Sequence, residues 1–182
     1  MDEWRSLVEG CRACSLSETR QRVVVESGPR DAAVVLVGEA PGRIEDEGGQ
    51  PFTGRSGRLL LALVDEVLGL SREQCFITNV VKCRPPANRT PRAEELLACS
   101  HWCTEQLNAT TGVVVTLGLT ATRALSGERL PLAEVRGRVL PYGARSLIAT
   151  YHPAAALRGG PSVVAMMRDD FAVVAREMAR ER

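Results

Sequence analysis

The chain has 182 residues, 45% of them hydrophobic and 25% charged, with a formal net charge of +1. That length supports one domain with a sizeable core, and the near-neutral balance supplies no global basic field. No apolar run approaches ~20 residues, which excludes a membrane-spanning helix; Met1-Asp2-Glu3-Trp4-Arg5 lacks the basic-then-apolar layout of a signal peptide, so a cytoplasmic location is expected.

In chain order, Val23–Glu26 is a candidate edge strand and Ala33–Val37 the first central one. A glycine-rich loop then leads into a helical pattern over Gly57–Leu68. Strand Cys75–Val81, helix Pro91–Leu107, strand Val113–Leu117 and helix Leu119–Leu125 follow. Val135–Leu140 predicts a hairpin-like excursion, Ser146–Thr150 a further strand, and Ser162–Arg180 a last helix. Strands alternating with helices read as βαβ units around a parallel sheet. Each apolar run ends in small or polar residues: Gly38-Glu39, Asn79, Gly118 and Tyr151-His152. Ligands of open parallel sheets bind beyond the carboxyl ends of the strands. Glu39, Asn79 and His152 are therefore expected to share a pocket.

The loop GEAPGRIEDEGGQPFTGRSG, from Gly38 to Gly57, is long for a strand-to-helix connection, and such loops are usually functional or disordered. Pro51-Phe52 in its middle argues against disorder. Gly49 to Ser56 nearly matches the phosphate-binding pattern G-x-x-x-x-G-K-[ST]. Arg55 replaces the lysine, however, and Pro51 removes one backbone donor. Lys82, Arg84, Arg89 and Arg92 cluster after the second strand, and Lys82 is the only lysine among 23 basic residues.

Six cysteines in a cytosolic chain point to metal binding or catalysis more than to disulfides. Cys11-Arg12-Ala13-Cys14, Cys83, Cys99 and Cys103 supply thiolates from separate segments, suited to zinc or to an iron–sulfur cluster. Cys75 opens an apolar run and reads as core. Of the two histidines, His101 sits in a cysteine-rich helix and His152 follows a strand, where a ligand-facing role competes with a structural one.

Taken together and in this order, the Gly38–Gly57 loop, ITNVVKCRPPANRTP, TLG, HPAAALR and the cysteines resemble family-4 uracil-DNA glycosylases, the iron–sulfur type. The similarity runs from Cys11 to Arg158. It implies a three-layer α/β/α sandwich with a four-stranded parallel central sheet, forming a single domain over 1–182 with an N-terminal iron–sulfur staple. It implies a [4Fe–4S] cluster held by Cys11, Cys14, Cys83 and Cys99, leaving out Cys75 and Cys103. The implied partner is uracil-containing DNA, double- or single-stranded, acted on by a monomer without membrane attachment.

The resemblance also assigns roles. Phe52 stacks on a flipped uracil, and Gly38 and Ala40 border it. Asn79 reads the base edge, because an amide pairs with uracil N3–H and O4 in an orientation that cytosine reverses. His152 stabilises the departing uracil anion. Ala154, Ala155, Leu157 and Arg158 form the loop entering the DNA, with Leu157 as the apolar wedge. Ala40 stands where better-known uracil glycosylases carry a water-orienting aspartate, and Gly42 where they carry a tyrosine. Glu39 and Glu45 are the candidates to orient water. Two further readings come from other classes. One is a covalently trapping or non-catalytic binder of damaged DNA, whose GEQPG motif and inserted basic loop this chain lacks. The other is an iron–sulfur nucleotide-binding module built on the near-P-loop.

Overall fold

Residues 2–180 are described by the computed structural model. Helix α1 (Asp2–Glu9) leads through an irregular segment to strand β1 (Val34–Gly38), helices α2 (Arg43–Gly48) and α3 (Arg55–Leu68) and strand β2 (Phe76–Asn79). Helix α4 (Ala93–Asn108), strand β3 (Val113–Leu117) and helices α5 (Leu119–Ser126) and α6 (Leu132–Val135) follow. Strands β4 (Val139–Tyr142) and β5 (Arg145–Thr150) precede helices α7 (Pro153–Gly159) and α8 (Pro161–Arg180).

The strand order is β2-β1-β3-β5-β4. The first four of these are mutually parallel, with Gly38 beside Asn79 and Leu117 beside Thr150 in register. Every residue of β1, β2 and β3 is buried, as expected of parallel strands covered on both faces. Alternate side chains feed two cores. Val35, Val37, Phe76 and Val114 pack with Cys103, Leu107 and Ala121 from α4 and α5. Leu36, Ile77 and Val115 pack with Leu60, Leu63 and Val64 of α3 and with Met167, Phe171 and Val174 of α8. Helices thus cover both sides of the sheet.

The sheet has five strands and is mixed, which corrects the expectation of a four-stranded parallel one. After α6 the chain turns at Gly143 (φ +60°), and β4 pairs antiparallel with β5. A two-residue reversal permits only antiparallel pairing, and β4, carrying Pro141, closes the outer edge of β5. The hairpin-like excursion lies at 139–150, a few residues beyond the range read from sequence. Val23–Glu26 is not a strand. It lies along β2 through a Val24 N–H bond to the Lys82 carbonyl and one antiparallel bridge between Ser27 and Ile77. Among the described residues no helix is long and apolar enough to cross a membrane.

Candidate active site

The carboxyl ends of β1, β2 and β5 open onto a cavity of about 470 Å³. Glu39, Ala40, Glu45, Phe52, Asn79, His152, Ala154 and Arg158, drawn from residues far apart in sequence, all line it. Gly38 lies against its innermost wall: a Cβ there would collide with Asn79 Oδ1 and with the Phe52 ring. Only glycine allows those two side chains to meet over the end of β1.

Asn79 is 2% exposed, and its Oδ1 is buried without a hydrogen-bond partner among the described residues. A buried acceptor left unpaired costs roughly 1–3 kcal/mol, which marks the position as waiting for a donor. The asparagine backbone, by contrast, is firmly held. Its carbonyl accepts from Lys82 Nζ, which also donates to Thr78 Oγ1 at 2.9 Å.

Phe52 is 5% exposed and has φ +53°, left-handed backbone that costs a bulky residue about 1–2 kcal/mol. Its ring lies 5.9 Å from that of His152, centre to centre, at 34°.

His152 caps α7. Its Nδ1 accepts the Ala154 N–H at 3.1 Å, so in the neutral ring Nε2 carries the proton. Burial, chiefly, pushes its pKa down to about 4. The Arg158 charge lowers it further, and Glu45 opposes both. The positive end of α7 also disfavours an imidazolium there. The site therefore presents a neutral imidazole with an N–H donor.

The two carboxylates divide. Glu45 is 8% exposed and its Oε1 accepts the Gly54 N–H at 2.9 Å, tying α2 to the start of α3. Glu39 lines the cavity between His152 and Thr90 and also borders a neighbouring groove. The Glu45 contact also counts against a phosphate cradle at Gly49–Ser56, because a carboxylate already occupies the Gly54 donor.

The uracil DNA glycosylase superfamily matches residues 25–176. The chain belongs to that superfamily. It is 41% identical over 173 residues to the type-4 uracil-DNA glycosylase of Saccharolobus solfataricus, covering 90% of this chain and 80% of that one. Identity to the type-4 uracil-DNA glycosylase of Thermotoga maritima is 44% over 154 residues, covering 83% and 80%. The type-5 uracil-DNA glycosylase of Pyrobaculum aerophilum matches at 33% over 168 residues, covering 83% and 74%.

A second and much smaller cavity gathers Cys11, Cys14, Cys83 and Cys99 with Arg20 and Lys82. Arg20 Nη1 donates to Cys83 Sγ at 3.2 Å and the Lys82 N–H to Cys99 Sγ at 3.3 Å. Burial pushes the Cys99 thiol up to about 11, so ligation of a metal is what would draw out its thiolate. Among the described residues no three Cys, His, Asp or Glu side chains sit closely enough to hold one metal ion. Four sulfurs around a common cavity are a donor set of the kind that zinc or an iron–sulfur cluster takes. Cys103 does not line that cavity, and Cys75 belongs to the core on the other face of the sheet. His101 is exposed, 4.2 Å from the Trp102 ring, away from both cavities.

Of the expected DNA-entering residues, Leu157 is 38% exposed and Ala155 half-buried on α7, outside the cavity that Ala154 and Arg158 line. Sequence reasoning missed the opposite wall, formed by Pro85, Asn88, Arg89 and Thr90. In the sequence this segment stands out as a cluster of positive charge and as part of the ITNVVKCRPPANRTP motif, with no pocket role attached to it. Arg89 in fact forks onto Glu95 at 2.6 and 2.8 Å and holds that carboxyl down at about 2. Arg84 Nε donates to Asn88 Oδ1 at 2.7 Å. Ala87 and Asn88 both have φ +54°. The available signal was Pro85-Pro86 followed by Asn88, which marks a rigid turn.

Proposed function

We propose that the chain removes uracil from DNA by hydrolysing the bond between uracil N1 and deoxyribose C1′, leaving an abasic site. The observation carrying this reading is the orphaned Oδ1 of Asn79 in the cavity wall. Uracil offers it N3–H and presents O4 to the Asn79 amide donor. Cytosine presents N3 as an acceptor and N4 as a donor, a mismatch at both atoms. The base leaves the duplex stack to enter, and the Phe52 ring replaces the lost stacking.

As the C1′–N1 bond lengthens, its electron pair moves onto the base and negative charge grows on O2. The neutral His152 donates from Nε2 to that oxygen. Because the ring is already desolvated and fixed by Ala154, little reorganisation is needed. The sugar, now oxocarbenium-like, is captured by water, whose surplus proton passes to solvent, and the uracil anion takes up a proton from solvent as it is released. Glu39 is the carboxylate assigned to orient that water, since Glu45 is engaged with the loop. Gly38 and Ala40 leave the approach open, Leu157 wedges into the vacated stack, and Ala154, Ala155 and Arg158 follow the DNA backbone. Cys11, Cys14, Cys83 and Cys99 hold a [4Fe–4S] cluster that staples the N-terminal segment to the β2–α4 connection and makes one folding unit of the chain. The cluster supplies structure and no redox step.

The test is release of free base from oligonucleotides differing only in uracil or cytosine at one position. Release of uracil alone supports the reading. Equal release, or none, refutes it.

A further inference from the structure

We infer that Arg72 is a positioning residue that clamps the base-stacking phenylalanine in place. The inference rests on the cavity's being the uracil pocket. Arg72 opens the short turn Arg72–Gln74 before β2 and does not line the cavity. Its guanidinium donates from Nη1 to the Phe52 carbonyl at 3.2 Å, and from Nη2 to the Pro51 carbonyl and to Ser27 Oγ at 3.1 Å. Two consecutive loop carbonyls thus converge on one planar fork, which a point charge such as lysine cannot reproduce.

The converging carbonyls flank the residue with the disfavoured backbone. Phe52 has φ +53°, and such conformations persist only where the surroundings over-determine them. Three constraints act together. Gly57 has no Cβ, and one there would collide with the Phe52 carbonyl. Gly38 admits the edge of the ring. Arg72 supplies donors to the two carbonyls. Gly57 and Gly38 only make room, whereas Arg72 provides the attraction. The turn carrying Arg72 is itself fixed, with the Ser71 N–H donating to Gln74 Oε1 at 2.9 Å. Without the fork, the 51–52 peptide is free to return to an ordinary backbone conformation, and the ring leaves the plane in which it meets the base.

The experiment is a double-mutant cycle in single-turnover uracil excision: wild type, Arg72→Met, Phe52→Ala and the double variant, with Arg72→Lys alongside. Losing an aromatic stack costs on the order of 10- to 100-fold. Phe52→Ala should fall by that factor, and Arg72→Met, which mispositions the ring without deleting it, by about tenfold. In the double variant the Arg72 effect should vanish, leaving the rate of Phe52→Ala alone. An Arg72→Met effect that persists undiminished in the Phe52→Ala background overturns the clamp. So does a full wild-type rate in Arg72→Met beside a slow Phe52→Ala. A phosphate-contacting role would instead weaken DNA binding and shallow its salt dependence equally in both backgrounds. If Arg72→Met does not fold, Arg72→Lys takes its place in the cycle with the same criterion. A normal rate in Phe52→Ala refutes the pocket reading itself, and the clamp with it.

Discussion

Replacing Asn79 with leucine should separate recognition from stability. The Asn79 Oδ1 is buried against Gly38 without a partner among the described residues, and its backbone carbonyl is held by Lys82 independently of the side chain. Leucine has the same branching and removes an unsatisfied acceptor, which offsets the cost of its bulkier methyl groups, so thermal stability should stay near that of the wild type. Excision should collapse, because uracil N3–H and O4 are then both buried without partners. At about 1–3 kcal/mol per group, two groups amount to roughly 2–6 kcal/mol, or about 30- to 10⁴-fold in single-turnover rate. Asn79→Asp keeps an acceptor for N3–H and loses the donor to O4, so it should be slowed by roughly 5- to 150-fold. The assay pairs single-turnover excision from a uracil oligonucleotide with a thermal melt of each variant. Excision and stability falling together in Asn79→Leu would show that the asparagine is a structural residue and that the base is read elsewhere.

Loss of the His152 donor in His152→Ala should slow single-turnover excision on the order of 10²–10³-fold, with DNA affinity nearly unchanged because the ground-state carbonyl is weakly charged; a matching loss of affinity would contradict this. The His152 pKa is lowered in the fold, so the unfolded chain takes up the proton first as pH falls. Stability conferred by the neutral ring is complete above pH 6.5 and is lost progressively towards pH 4, by roughly 3 kcal/mol; acid melts of His152→Asn should be flatter than wild type over that window. In anaerobically prepared protein, Cys99→Ser should lose iron and Cys103→Ser retain it by elemental analysis; zinc in place of iron, or the reverse sensitivity of the two cysteines, would refute the assigned ligand set.

The strand runs are legible in the sequence because parallel strands buried on both faces read as continuous apolar segments, and the rule that ligands bind beyond their carboxyl ends brings Glu39, Asn79 and His152 together. The fifth strand is harder to read. Val139 to Tyr142 alternates weakly, includes Pro141 and owes its pairing to β5, so only the hairpin signal remains. The near-P-loop misleads in isolation, because the pattern does not reveal that Glu45 folds back onto Gly54. Arg89 reads as surface charge, since its partner Glu95 lies on the next helix and the buried ion pair exists only after α4 docks. The left-handed backbone of Phe52 is not readable from the sequence; it is accompanied by the space left at Gly38 and Gly57 and by hydrogen bonds from Arg72, twenty residues later in the chain.

The most direct measurement counts product formed per enzyme on a uracil-containing duplex in excess, with the same samples run on a denaturing gel for a protein–DNA adduct. The proposed hydrolysis, in which water captures the sugar, predicts many abasic sites per enzyme and no adduct. One abasic site per enzyme with a persistent adduct would contradict hydrolysis and make the chain a covalent sensor of uracil.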